Sequence, residues 1–389
     1  MAEGLKKSYK KFYRQNLAKA LELFCDIEDQ ATPVKELSQK IENETGLFPS
    51  MQEKFAEYFV KERVALMEKY GITEQQVGKC QRFAVKYATR ESDRASYQAM
   101  EALIHNLNTM HSRAGAQVPF SSINYGMDTS PEARMVIKNL LLATEAGLGN
   151  GETPIFPIQI FRVKEGINYN PGEPNYDLFK LAIRCSAKRL FPNFAFVDAP
   201  FNLQYYKPGH PETEIAYMGC RTRVIGNVYD PSREICNGRG NLSFTTINLP
   251  RLAIKAKGDI NQFYKGLDEM LDLCVDQLLE RFEFQKHKKV KNAPFLMGQG
   301  VWIDSDKLDW EDELGDILNH GTLSVGFIGL AECLKALIGV HHGESDEAQK
   351  LGLEIIGHMR KRMDEESQKR TLNFSLLATP EHKRALVGA

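Results

Sequence analysis

The sequence predicts an α/β fold preceded by a helical segment, on three observations. The first third of the chain carries apolar residues at helical spacing. From Val118 onward, short β-rich runs alternate with helical ones. No Gly/Ser linker interrupts that alternation, so the α/β part reads as one domain. Strands interleaved with helices of this length specify βα units rather than a sandwich.

The elements follow in order. Leu5 to Phe24 sets Leu17, Ala20, Leu21 and Phe24 on one helical stripe. Thr32-Pro33 opens a second helix as cap and proline. A third follows Pro49-Ser50, with Phe55, Phe59, Val60, Val64 and Met67 as its apolar face and Gly71 as its stop. Helical patterns continue over 73–87 and 91–110. β-rich runs are expected at 118–126, 154–163, 193–200, 215–226, 241–254, 295–303, 322–330 and 372–380. Helices are expected at 131–146, 176–190, 259–286, 330–339 and 346–368. Several strands end in polar or glycine-rich loops, where α/β barrels place their active sites.

Composition narrows the function classes. Fifty Lys+Arg against 51 Asp+Glu give a net charge of −1 over 389 residues, so no global field steers the chain onto nucleic acid or an anionic membrane. Phosphate recognition would have to be local. There is no apolar run of 18 residues, and the lysine-rich start lacks the apolar core of a secretory signal. Seven scattered cysteines without a C-x-x-C argue against a disulfide framework or a zinc ribbon and for a reducing, cytoplasmic setting.

Three stretches carry candidate chemistry. In MGCRTR, Cys220 stands between Gly219 and two arginines, Arg221 and Arg223, at the end of an apolar run. The arginines would favour a thiolate or an anionic ligand; the other reading is a core cysteine at a strand end. In Asn237-Gly238-Arg239-Gly240-Asn241, glycines expose backbone N–H groups and Arg239 is available to an anion, although a plain tight turn has the same composition. The third stretch, 105–126, concentrates His105, Asn106, Asn108, Thr109, His111, Ser112 and Arg113 before a strand with Ser121 and Ser122. This density of polar side chains means ligand contact or a buried polar network. His105 and His111 are six apart and do not share a helix face, so no metal site is expected. GLGNG at 147–151 lacks the G-x-G-x-x-G order and reads as a helix C-cap.

Together, HNLNTMHSRAGAQVPFSSINYG, TPIFPIQIF, MGCRTR, NGRGNLSFTTINLPRLAI, GTLSVGFIGLAE and NFSLLATP resemble the anaerobic (class III) ribonucleoside-triphosphate reductases, a glycyl radical enzyme family. They follow the family's order from about residue 75 to 380. The resemblance implies an incomplete ten-stranded α/β barrel. Residues 1–72 would be a helical segment bearing dimer or effector-site helices, 73–380 a partial barrel, and 381–389 an unrelated tail. It implies reduction of ribonucleoside triphosphates to deoxyribonucleotides, with Cys220 at the thiyl-radical position and Asn241 near the ribose. Ser121, Ser122, Met218, Arg239, Ser375 and Thr379 would bind substrate. It further implies a glycyl radical, ATP or dNTP effectors, a radical-SAM iron–sulfur activating enzyme and a homodimer.

The departures are as specific as the matches. No R-V-x-G-Y-like radical-glycine motif and no cysteine-rich C-terminal zinc site occur in the sequence. The family's nucleotide-binding cone and first barrel strand would lie upstream of Met1, so the chain reads as a truncated core segment. The alternative is a non-catalytic fragment that keeps dimer and effector binding. A formate-lyase relative would show adjacent cysteines where Cys220 stands alone.

Overall fold

The computed structural model describes residues 1–111, 117–219, 222–224 and 226–379. It divides into two units. One comprises Met1–Asn202 with the segment that starts at Tyr217; the other comprises Leu203–Ala216 and the chain from Thr222 on. The expected boundary at 72–73 falls within the first unit.

The first unit begins with four helices: α1 (Ala2–Cys25), α2 (Ala31–Thr45), α3 (Ala56–Tyr70) and α4 (Glu74–Thr109). Thr73 and Gln76 form a reciprocal capping box that starts α4, and its 36 residues merge the two helices expected there. The α1 residues Tyr13, Leu17 and Leu21 pack on Val77, Cys80, Ala84 and Ala88 of α4, a stripe of mostly small residues that lets the helices approach closely. Helix α2 starts at Ala31 with Gln30 as cap, so Thr32 lies inside the first turn. Helix α3 buries only part of the expected face: Phe59 and Met67 pack against the core. Tyr58, Glu62 and Leu66 point inward, while Val60 and Val64 are about half exposed. Gly71, at φ +61°, ends the helix as expected.

Beyond α4 come β1 (Ser122–Tyr125), α5 (Pro131–Ala146), β2 (Ile158–Val163), α6 (Tyr176–Arg189), β3 (Asn193–Phe196) and the two-residue β4 (Tyr217–Met218). Strands β1, β2 and β3 are parallel neighbours in that order. Phe161 and Val163 pack on Ile137 and Leu141 of α5 and on Leu178 and Ala182 of α6. Ile158, Ile160 and Ala195 form the opposite face with Tyr217. Gly147 caps α5 at φ +86°, and a Cβ there would stand 2.6 Å from the Glu152 carbonyl oxygen, so this glycine is required by both conformation and space.

The second unit holds β5 (Thr222–Arg223), β6 (Asn241–Asn248), α7 (Leu249–Ala256), α8 (Ile260–Lys286), β7 (Thr322–Ile328), α9 (Leu330–Ile338), α10 (Asp346–Arg370) and β8 (Asn373–Ala378). Strands β6, β7 and β8 form a second parallel sheet. Leu323, Val325 and Phe374 on one face pack on Leu271 and Leu278 of α8 and on Ile355 and Met359 of α10. Strand β6 runs straight into α7, with Asn248 capping the helix and Pro250 in its first turn. Strand β7 reaches α9 through Gly329 alone, at φ +72° and packed on Pro250.

Several expected strands are shorter than their runs, among them 154–163, 193–200 and 215–226, and one is absent. The run 241–254 is a strand only to Asn248. Residues 295–303 contain no strand: Gly300 takes φ +67°, and a Cβ at Gly298 would meet Pro294 and Trp310, so the segment is a series of turns. Its apolar residues serve as anchors instead, with Met297 and Trp302 buried and the Trp302 indole N–H donating to the Ile317 carbonyl at 2.9 Å. The fold class stands as α/β with small parallel sheets; neither three-stranded sheet is a closed barrel. No helix among the described residues is long and apolar enough to cross a membrane.

Candidate active site

The second sheet has one face covered by α8 and α10, and polar side chains gather on the other. On the second sheet, alternation sets Ser324, Gly326, Thr246, Ser375 and Thr379 on the side away from α8 and α10. The Ser324 and Ser375 hydroxyls are 2.8 Å apart, and those of Thr246 and Thr379 are 2.9 Å apart. Register explains both pairs: Ser324 lies opposite Ser375, and Thr246 opposite Gly326. Because Gly326 has no side chain, Thr246 and Thr379 meet across β7. A Cβ at Gly326 would stand 2.1 Å from the Thr379 Oγ1. Ser375 and Thr379 are thus on one polar surface, together with Thr246, Ser324 and Gly326, which sequence reading passed over. The polar positions alternating in TLSVGFI were the available signal.

Asn241 is exposed at the start of β6, opposite Thr322. Arg239, two residues earlier, is buried, with Nε donating to the His320 carbonyl at 2.9 Å and a terminal nitrogen donating to the Ile235 carbonyl at 3.0 Å. Burial lowers its pKa. Its fork is therefore occupied by backbone oxygens and fastens the turn that leads to Asn241. Gly238 sits at φ +67°, and its carbonyl accepts from the Ile303 N–H at 2.8 Å.

A polar network braces the same end of the sheet. Buried His320 faces the Asn227 amide at 3.1 Å, and Arg233 makes a two-pronged contact with Asp304 at 2.9 and 2.8 Å. Asn373 at the start of β8 donates to Asn227 and to the Gly321 carbonyl. Desolvation lowers the His320 pKa, and bonds from Arg233 and Lys307 hold Asp304 well below the usual carboxylate range.

In the first unit, Ser122 opens β1 and its Oγ accepts from the Gly219 N–H at 3.1 Å. The Ser121 hydroxyl is buried with no partner among the described residues, while its carbonyl accepts from Ile158. Met218 is half-buried in β4. Cys220 and Arg221 lie outside the described residues, as do Ser112, Arg113 and the tail from 380. Of the polar cluster at 105–113, Asn108 holds backbone: its amide donates to the Phe156 carbonyl at 2.6 Å, and its oxygen accepts from Ile155 and Phe156. Among the described residues no three His, Cys, Asp or Glu side chains are grouped to hold a metal ion.

Parallel βα units, one sheet of which presents a hydroxyl-lined face opposite its helices, define an α/β protein. The chain belongs to the anaerobic ribonucleoside-triphosphate reductase family, whose model matches residues 45–385. It is 33% identical over 298 residues to the anaerobic ribonucleoside-triphosphate reductase of Escherichia coli, covering 76% of this chain and 40% of that protein. It is 31% identical over 304 residues to that of Enterobacteria phage T4, covering 76% and 47%. The chain therefore spans under half the length of these relatives. A solved anaerobic ribonucleotide reductase superposes with a TM-score of 0.53 at 12% identity, over 88% of this chain and 54% of that one. The crystal structure of the Thermotoga maritima anaerobic ribonucleotide reductase with glycerol in the active site gives 0.50 at 12% identity, over 88% and 57%. At such identity the structural likeness is one of fold.

Proposed function

We propose that this chain is a catalytic-core portion of an anaerobic reductase that converts ribonucleoside triphosphates to deoxyribonucleoside triphosphates by thiyl-radical chemistry. The observation that carries the reading is the family match over residues 45–385, which includes MGCRTR and NGRGNLSFTTINLPR. The two parallel sheets are, in this reading, parts of a ten-stranded barrel, and the hydroxyl-lined face of the second turns toward substrate.

Cys220 carries the thiyl radical. It abstracts the ribose 3′ hydrogen, the protonated 2′-hydroxyl leaves as water, and the hydrogen returns from the re-formed S–H. A thiol suits this relay because its S–H bond is close in strength to an activated ribose C–H. A glycyl radical, made by a radical-SAM iron–sulfur activating enzyme, supplies the unpaired electron, and a two-electron donor of the formate or thiol-protein class completes the reduction. Asn241 contacts the ribose. Ser121, Ser122, Met218, Ser375 and Thr379 border the substrate, and Arg239 acts from behind by fixing the turn before Asn241. ATP or dNTP effectors and a second copy of the chain complete the assembly.

The test is Cys220→Ser in an anaerobically activated system that supplies the radical glycine. Deoxynucleotide formation is expected to be abolished with the circular dichroism spectrum unchanged; retained reduction sinks the thiyl role.

A further inference from the structure

The segment just ahead of Cys220 is tied to β1 by side chains. Ser122 and Asn124 alternate along β1 and so share a face. Asn124 Nδ2 donates to the Tyr217 carbonyl at 2.7 Å, and its Oδ1 accepts from the Tyr217 N–H at 3.0 Å. A primary amide in this pose presents the same donor and acceptor as the peptide group of a neighbouring strand. Ser122 Oγ adds an acceptor for the Gly219 N–H at 3.1 Å, and the Tyr217 hydroxyl donates to Asn202 at 3.1 Å.

Gly219 explains why side chains do this work. It sits at φ +58°, and among the described residues a Cβ there would meet Phe120 alone, at 3.8 Å, so the glycine is needed for its conformation rather than for space. A regular ladder to β1 would keep the chain extended through residue 219. Point contacts from Asn124 and Ser122 fix both polar groups of Tyr217 and the amide of Gly219 while letting the backbone turn at the residue before the cysteine. A thiol that passes hydrogen in both directions must stay within a fraction of an ångström of its partner.

We propose that Asn124 is a positioning residue for Cys220, with Ser122 as its auxiliary. The inference rests on the reading of Cys220 as the radical carrier. It does not place Asn124 against the reacting atoms.

The test uses the full reduced chain. Modification of each cysteine by 4,4′-dithiodipyridine is followed peptide by peptide by mass spectrometry, and the Cys220 rate is divided by that of Cys25 in the same sample. Asn124→Ala removes two hydrogen bonds and is expected to raise this ratio roughly tenfold. Ser122→Ala, a milder change, raises it less. Asn139→Ala, which removes comparable buried amide contacts to Asp93 in the same unit, leaves it unchanged. Asn124→Asp keeps the acceptor for the Tyr217 N–H and loses the donor, and its ratio should fall back toward wild type as acid protonates the carboxyl and restores an O–H donor. Asn139→Asp, the same change away from the cysteine, gives no such pH-linked change in the ratio. An unchanged ratio in folded Asn124→Ala and Ser122→Ala, or an equal rise in Asn139→Ala, overturns the proposal. Retained reduction in Cys220→Ser with the Asn124 effect intact overturns the radical assignment and leaves the positioning role standing.

Discussion

Gly326 shows how a missing side chain builds a polar surface. Its bare backbone lets the Thr246 and Thr379 hydroxyls meet at 2.9 Å, and any Cβ would displace the Thr379 Oγ1. Gly326→Ala is therefore expected to destabilise the protein by about 1–3 kcal/mol through overpacking. Removing the obstructed group should relieve the strain, so Gly326→Ala with Thr379→Ala should cost less than the sum of the two single changes. Urea unfolding of the four proteins in the cycle measures this, and strict additivity would show that the hydroxyl pair does not depend on the glycine. Individual residues were the hardest scale to read from sequence. Cys220, Ser375 and Thr379 stood out by motif, whereas Thr246 and Ser324 look like ordinary strand residues until register pairs them. Arg239 looked available to an anion because its neighbours are glycines, and only the fold shows two carbonyls already occupying it.

At the scale of elements, helices were largely legible and their buried faces less so. Periodicity and caps located α5 and α6 closely, since Pro131 after Ser130 and Gly147 after Ala146 act through local sterics. Part of the α3 face was misjudged, because hydrophobicity favours Val60 and Val64, yet the buried stripe includes a carboxylate. Glu62 is enclosed by hydrogen bonds from Tyr58 one turn earlier at 2.7 Å, Tyr13 of α1 at 2.5 Å and Gln81 of α4 at 2.9 Å, the last two being partners that no local pattern reveals. Desolvation raises its pKa despite these donors. A carboxyl that binds its proton more tightly when folded contributes most at acid pH, and that contribution is lost as pH rises from about 4.3 through the folded value. Glu62→Gln keeps the hydrogen-bonding shape without the charge. Its stability relative to wild type should climb in denaturant titrations as pH rises above about 4.3. A difference that stays flat above that pH would mean that Glu62 does not titrate there.

For the whole molecule, the α/β class and the order of strands and helices were readable, because alternation of period 2 and period 3.6 is a property of the sequence itself. The closure of sheets was not, since it depends on partners far apart in the chain. Acid sensitivity belongs to this scale too. His320 is held neutral, so its contribution is full above its unfolded value of about 6.5 and is lost as pH falls below it. Asp230, lowered to about 2 by bonds from Ser232 and Arg233, contributes above the ordinary aspartate value and loses that contribution as pH drops toward 2. Acid unfolding should show two phases, and His320→Gln should flatten the first; an unaltered slope between pH 7 and pH 5 would count against it. A last consequence concerns where this architecture can be lengthened. With β6 entering α7 at Asn248 and β7 entering α9 through Gly329 alone, neither junction has slack for added residues. Inserted peptides there would uncap a helix or drive Pro250 from its seat, whereas the turn-rich stretch at 295–314 can absorb them. At these two strand exits the scaffold cannot diversify by loop growth, and novelty there must come from exchange of single side chains.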